Sequence, residues 1–225
     1  MKPFFLKSTL VIFTLALLLG VFSPVNSAAA QSNGNRSAIP TLSEFSASVH
    51  NSNSTQLTGI YVAGVMALPV VQQPAGQAGF VSTIPETITQ FAAASRYNST
   101  GLLAHNTLAG RYFSNLSNGS IITLVYGDGH TQYFRVSEVK QFQALSPTSI
   151  YSQFINLAQP GITLTSTDLF RQTYGRGNVL VLQTCIANGN DASWGRLFVI
   201  AEPVNYFSKQ QVMHQLHKVD AVLEF

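Results

Sequence analysis

The sequence predicts a mainly β domain, closed into a barrel, with a few helices on its outside. Short apolar and β-branched runs recur along it, at 59–71, 101–104, 120–126, 131–139 and 178–184, and from Arg196 to Val204. Two of them flank Gly127-Asp128-Gly129, a tight turn between antiparallel strands. Helical patterns are confined to short stretches between or after these runs.

Taken in order, residues 1–30 have the form of an export signal. Lys2 and Lys7 precede a continuous apolar run, Ser8 to Phe22. Pro24 breaks it, and Ala28-Ala29-Ala30 supplies small residues for cleavage before Gln31. The run is short for a membrane span, which needs about 20 residues. Cleavage is therefore expected, with an uncleaved N-terminal anchor as the alternative; both place the rest of the chain outside the cytoplasm. Residues 31–56, rich in Ser, Asn and Thr, are expected as a flexible linker with a short ordered piece near Leu42–Phe45. The domain proper is expected over 57–225.

Within it, 59–71 is one or two strands closed near Pro69, and 72–79 is a loop. Residues 84–95 place Ile84, Ile88, Phe91 and Ala92 at helical spacing, with Pro85 suited to a first turn. Residues 101–104 form a buried strand that ends at His105. Residues 120–126 and 131–139 form a hairpin, and 148–157 and 166–171 carry short helices. Residues 178–184 are a buried strand ending at Cys185. A polar loop leads to a strand that opens at Arg196, and 208–222 is a helix capped by Ser208.

Charged residues are only 9% of the chain, where about a quarter is usual, and hydrophobic ones are 46%. The 12 Lys and Arg, less the two in the leader, leave 10 against 9 Asp and Glu, a net of +1. The cations are scattered singly, which argues against a nucleic-acid surface. A sparsely charged, Asn- and Ser-rich surface fits an extracytoplasmic protein.

The chain has one cysteine, Cys185. It is a buried inert thiol, half of an intermolecular bridge, or a nucleophile. His105 and Arg196 fall, like Cys185, at strand ends, where side chains converge on a cleft. A thiolate is a strong nucleophile, and a histidine can take its proton and later protonate a leaving amine. A guanidinium can stabilise an oxyanion. Each residue alone has a plainer reading: a loop histidine, a surface arginine, a core thiol. His130 sits in a hairpin turn. His214 and His217 share a helix face without a carboxylate or cysteine, so no metal site and no cofactor is expected.

Three segments together resemble the sortases, extracytoplasmic cysteine transpeptidases. Val181-Leu182-Gln183-Thr184-Cys185 is similar to the family's strand ending in Thr-x-Thr-Cys or Ile-Thr-Cys. Gly195-Arg196-Leu197-Phe198 resembles its arginine-opening strand, and Gly101-Leu102-Leu103-Ala104-His105-Asn106 its strand followed by Gly-His-Asn. Ala104 and Gln183 depart from the common residues. The resemblance, over about residues 57–204, implies an eight-stranded sortase-type barrel with Cys185, His105 and Arg196 catalytic. It implies cleavage of a sorting motif in a secreted protein through a thioacyl enzyme. The acyl group passes to an amine of a cell wall or pilin-like acceptor, and the only membrane contact is an uncleaved leader. Thr184, Asn106 and Trp194, beside the three in sequence, are candidates for substrate contact. An L,D-transpeptidase-like enzyme is disfavoured, because Ile186-Ala187 stand where that family places its arginine. A non-catalytic barrel that binds a peptide or glycan, and a hydrolytic peptidase on the same fold, are the other readings.

A reporter fused behind residues 1–31 is expected outside the cytoplasm, with Gln31 as the first residue of the mature protein. A mature chain that still begins at Met1 would mark the leader as an anchor.

Overall fold

Hydrogen bonds from strand to strand, and from the last strand back to the first, close eight strands into a ring. The computed structural model describes residues 39–204 and 206–223; the expected export signal lies outside them. Ten strands occur among the described residues: β1 (Leu57–Val62), β2 (Met66–Gln72), β3 (Ile88–Phe91), β4 (Thr100–Leu103), β5 (Ile121–Tyr126), β6 (Thr131–Ala144), β7 (Gln153–Asn156), β8 (Thr163–Thr165), β9 (Leu180–Asn188) and β10 (Asp191–Pro203). Around the barrel they run β10-β9-β4-β3-β2-β1-β5-β6, and β6 pairs with β10 to close it. Pairs β2–β3 and β4–β9 are parallel, the other pairs antiparallel. β7 and β8 branch from the far end of β6.

Two cores share the barrel wall. Leu180 and Leu182 of β9 and Leu197 and Val199 of β10 face the interior with Ile60, Leu102 and Leu124. Val181, Phe198 and Ile200 face outward, into a second core with Phe142, Phe154, Leu169 and Tyr174. Strands buried on both faces need apolar residues at every position, which is why 180–182 and 197–200 read as unbroken apolar runs. The outer core is covered by helix α2 (Ser166–Tyr174), whose N-terminus is capped by Thr165 accepting from the Asp168 amide at 3.1 Å.

The structure corrects two helices. The helical spacing over 84–95 gives way to β3 and a 3₁₀ turn, Ala92–Tyr97. Thr89 and Gln90 find ladder partners on both sides, in β2 and β4. The buried Thr89 hydroxyl also accepts from the Ser82 amide at 2.8 Å, and Glu86 at φ +57° breaks the helical course. Pairing on two sides outweighs a helix propensity of tenths of a kcal/mol per residue. Likewise 148–157 contains strand β7, because β6 runs on to Ala144 and offers it an edge.

The short ordered piece expected near Leu42–Phe45 is a helix, α1 (Leu42–Ser48), set by a capping box between Thr41 and Glu44. Its Phe45 is buried and stacks on Tyr61 with ring centroids 6.1 Å apart. The C-terminal helix α3 (Tyr206–Leu223) buries Val212 and Leu216 in the same cluster, with Val125 and Tyr133. The proposed Ser208 cap falls on a side chain outside the described ones.

Phe45→Ala is expected to cost about 3–5 kcal/mol in denaturant unfolding, the usual range for a buried phenylalanine. An unchanged midpoint would show that α1 contributes nothing to the fold.

Candidate active site

β9 is paired on both sides, and that pairing fixes what can stand beside Cys185. On one side it runs antiparallel to β10, where Arg196 is the direct partner of Cys185. On the other it runs parallel to β4, with Leu103 opposite Gln183. β4 ends at Leu103, so His105 lies two residues beyond this ladder. Alternation along the strand puts Leu182 and Thr184 inward and Val181, Gln183 and Cys185 outward. Cys185 is partly exposed. The strand does not end there, as expected from sequence, but runs on to Asn188.

The chain leaves β4 under tight control. The Ala104 amide still bonds the Gln183 carbonyl at 3.2 Å. Thr184, expected near substrate, is 5% exposed and donates its hydroxyl to the Ala104 carbonyl at 2.8 Å, tying β9 to the residue before His105. The His105 carbonyl accepts from the amides of Leu108 and Gly110, each at 2.9 Å. Gly110, second in the 3₁₀ segment Ala109–Asn115, lies so close that a Cβ there would stand 2.2 Å from Thr184 Oγ1 and 2.7 Å from the His105 oxygen.

Asn106 bridges the two sides of the site. Its Nδ2 donates to the Ala192 carbonyl at 2.9 Å. Ala192 belongs to a bulge in β10, where the register shifts between Asp191 and Gly195. Trp194 lies half-buried in that bulge. The sequence reads as a loop here because an unpaired, polar bulge has the composition of one.

The bulge also grips Arg196. Nη1 donates to the Ser193 carbonyl at 2.7 Å and the Gly195 carbonyl at 2.9 Å. Nη2 donates to Pro147, in the β6–β7 loop, at 2.9 Å. Among the described residues no carboxylate pairs with it. Three of the five guanidinium donors are thus used to hold the group, and its charge stays uncompensated.

Beside Arg196 opens a cleft of about 340 Å³. Its walls are Phe91, Phe154, Phe170, Tyr174 and Phe198, with Ile150 of the β6–β7 loop at the rim and Gln183 next to the cysteine's strand position. Sequence reasoning passed over these residues, because they come from six separated segments and no motif joins them. Burial pushes the Tyr174 hydroxyl far above the usual phenol range, so it stays protonated. His130, by contrast, sits at the β5–β6 turn, stacked on Tyr126 at 4.3 Å and bonded to Asp128.

No family model matches the chain, and no curated protein does. Among solved structures, it is similar to sortases. Sortase C-1 from Actinomyces oris is 16% identical with a TM-score of 0.42, over 74% of this chain and 82% of that one. The lid-mutant of Streptococcus agalactiae sortase C1 is 12% identical with a TM-score of 0.43, over 70% and 73%. Sortase A from Listeria monocytogenes is 13% identical with a TM-score of 0.41, over 66% and 87%. The likeness is one of fold.

The close approach of Gly110 predicts that Gly110→Ala costs about 1–3 kcal/mol by overpacking and slows alkylation of Cys185. Thr184→Val, which orphans the Ala104 carbonyl, is expected to cost about 1–3 kcal/mol, whereas Thr184→Ser should be mild. Thermal unfolding with a thiol-labelling time course measures both; a fully stable, fully reactive Gly110→Ala would contradict the packing described.

Proposed function

We propose that this chain is a sortase-like cysteine transpeptidase, acting on secreted protein substrates outside the cytoplasm. The observation that carries the reading is the pairing of Arg196 with Cys185 across β9 and β10, with the guanidinium held by three carbonyls and unpaired by any carboxylate of the described residues. A structural arginine is normally neutralised by a carboxylate; one fixed by carbonyls alone keeps its charge for another anion.

The steps follow from these roles. The Cys185 thiolate attacks a peptide carbonyl carbon, and the C=O electron pair moves to oxygen. The two remaining Arg196 donors stabilise that oxyanion. The C–N bond breaks as the carbonyl reforms, and His105 gives its proton to the departing amine. The thioester then meets an acceptor amine, whose attack forms a new amide, passes a proton to His105 and releases the thiolate. The aromatic cleft holds the acyl half meanwhile. Asn106 and Thr184 act by holding His105's segment to the bulge and to β9, and Trp194, half-buried in the bulge, offers a substrate contact there. The resemblance in sequence suggests a sorting motif in the substrate and a wall or pilin-like amine as acceptor.

The test uses a peptide library with hydroxylamine as acceptor and hydroxamate formation as readout. Cys185→Ala should abolish transfer. His105→Ala should lower it by about 10²–10⁴-fold, and His130→Ala should leave it nearly unchanged. Arg196→Lys should lose about 10²–10³-fold, because an ammonium lacks the planar fork, while Cys185 still accepts a small alkylating reagent. Full activity in Arg196→Lys would reduce that residue to a surface charge and remove the basis of the assignment.

A further inference from the structure

The ring of His105 has no hydrogen-bond partner among the described residues. No carboxylate or carbonyl of theirs orients it, so its place depends on how its backbone is held. Two holds join it to the cysteine's strand and the strand beyond: Thr184 on the Ala104 carbonyl, and Asn106 on the β10 bulge. A third leads away along the chain. The His105 carbonyl accepts from the amides of Leu108 and Gly110. The Leu108 carbonyl in turn accepts from the Arg111 amide at 3.2 Å and from Arg111 Nη1 at 3.0 Å.

Arg111 is itself fixed from another segment. Its Nη2 donates to Glu86 Oε1 at 2.5 Å and to the Tyr112 hydroxyl at 2.9 Å. The Tyr112 hydroxyl donates to Glu86 Oε2 at 2.7 Å, and the guanidinium carbon lies 4.6 Å from the Tyr112 ring centroid. Both carboxylate oxygens are engaged, and the three side chains close a ring. Glu86 stands two residues before β3, next to the buried Thr87 and Ile88. Tyr112 packs against the inner core. The clasp thus ties His105's segment to two fixed parts of the barrel.

Two features mark this as placement rather than stabilisation. The side chains of Arg111 and Glu86 are 48% and 42% exposed, and exposed ion pairs contribute little to folding. Glu86 also keeps φ +57°, in the left-handed region that a residue with a Cβ rarely adopts. Backbone strain kept for a contact of small worth to the fold points to a task elsewhere.

We propose, on the transpeptidase reading above, that Glu86 is a positioning residue. Through Arg111, Tyr112 and the Leu108 carbonyl it holds the segment that carries His105 where the ring can give its proton to the leaving amine.

The experiment takes a library peptide that yields hydroxamate and compares it with the p-nitrophenyl ester of its acyl half. The amide needs a proton on its leaving nitrogen, whereas p-nitrophenolate departs without one. Glu86→Ala keeps a Cβ at the strained position and removes the carboxylate. It should lower kcat on the peptide by about ten- to a hundredfold, the scale of a misplaced reacting group, with KM unchanged. Acylation by the ester and alkylation of Cys185 should stay near wild type. Glu86→Gln, which keeps an acceptor for Arg111, should recover part of the loss. Glu86→Ala combined with His105→Ala should be no slower than His105→Ala alone, because the clasp acts through His105. Hydrogen exchange should quicken at the Leu108 and Gly110 amides while the melting temperature changes little. Equal losses on peptide and ester, additive losses in the double variant, or a fully active Glu86→Ala would overturn this proposal and leave the transpeptidase reading standing. No acyl transfer to hydroxylamine by the wild type, from any peptide or ester, would bring down both.

Discussion

The register of β9 is the constraint on which the site depends. Side chains alternate along a strand with a period of two, so a slip of one residue would turn Cys185 into the barrel and Thr184 out of it. Nothing about the cysteine itself prevents that. The lock is the apolar set on either side: Leu180 and Leu182 belong to the inner core, Val181 to the outer one, and neither core tolerates the exchange. Two ladders, parallel to β4 and antiparallel to β10, repeat the instruction. The thiol is placed by the burial of its neighbours, the arginine by its pairing with that strand, and the histidine follows the strand that pairs on the other side.

Arg196 shows how the fold prepares a charge without cancelling it. Arginine carries about 2 kcal/mol of rotamer entropy that an unfixed side chain would lose at each encounter with a substrate. Here the bulge in β10 and the β6–β7 loop hold it beforehand through the carbonyls of Ser193, Gly195 and Pro147. Carbonyl dipoles orient a cation while leaving its net charge intact, whereas a carboxylate would orient and neutralise it. The same bulge offers the Ala192 carbonyl to Asn106. One local irregularity thus steadies both flanks of the cysteine.

How far the sequence could be read depended on whether one physical force acted alone. Strands 178–184 and 197–200 were legible because burial on both faces leaves an unbroken apolar run. Over 84–95, Ile88, Phe91 and Ala92 fit a helical face, and β3 is a four-residue strand without a clean alternation to oppose it. Only the ladder partners in β2 and β4 decide, and those are remote in sequence. Phe45 looked isolated in a polar stretch because its partner Tyr61 lies in another element. Cys185, His105 and Arg196 are candidates from residue type and order. Thr184's inward turn, the carbonyl cage around Arg196 and the clasp of Glu86 on Arg111 and Tyr112 are tertiary facts with no local sign.

Closure of the barrel has a further effect, on how copies of the protein meet. The eight wall strands spend their backbone groups on one another, so none presents a long unsatisfied ladder. The branch that leaves the wall ends in β8, a strand of three residues, Thr163–Thr165, which runs directly into α2. An edge that short can template hardly one cross-strand pair before a helix interrupts it. The protein can thus carry apolar strands at high local concentration with little tendency to recruit another chain into its sheet. Lengthening this edge would remove that protection without touching a single residue of the cleft.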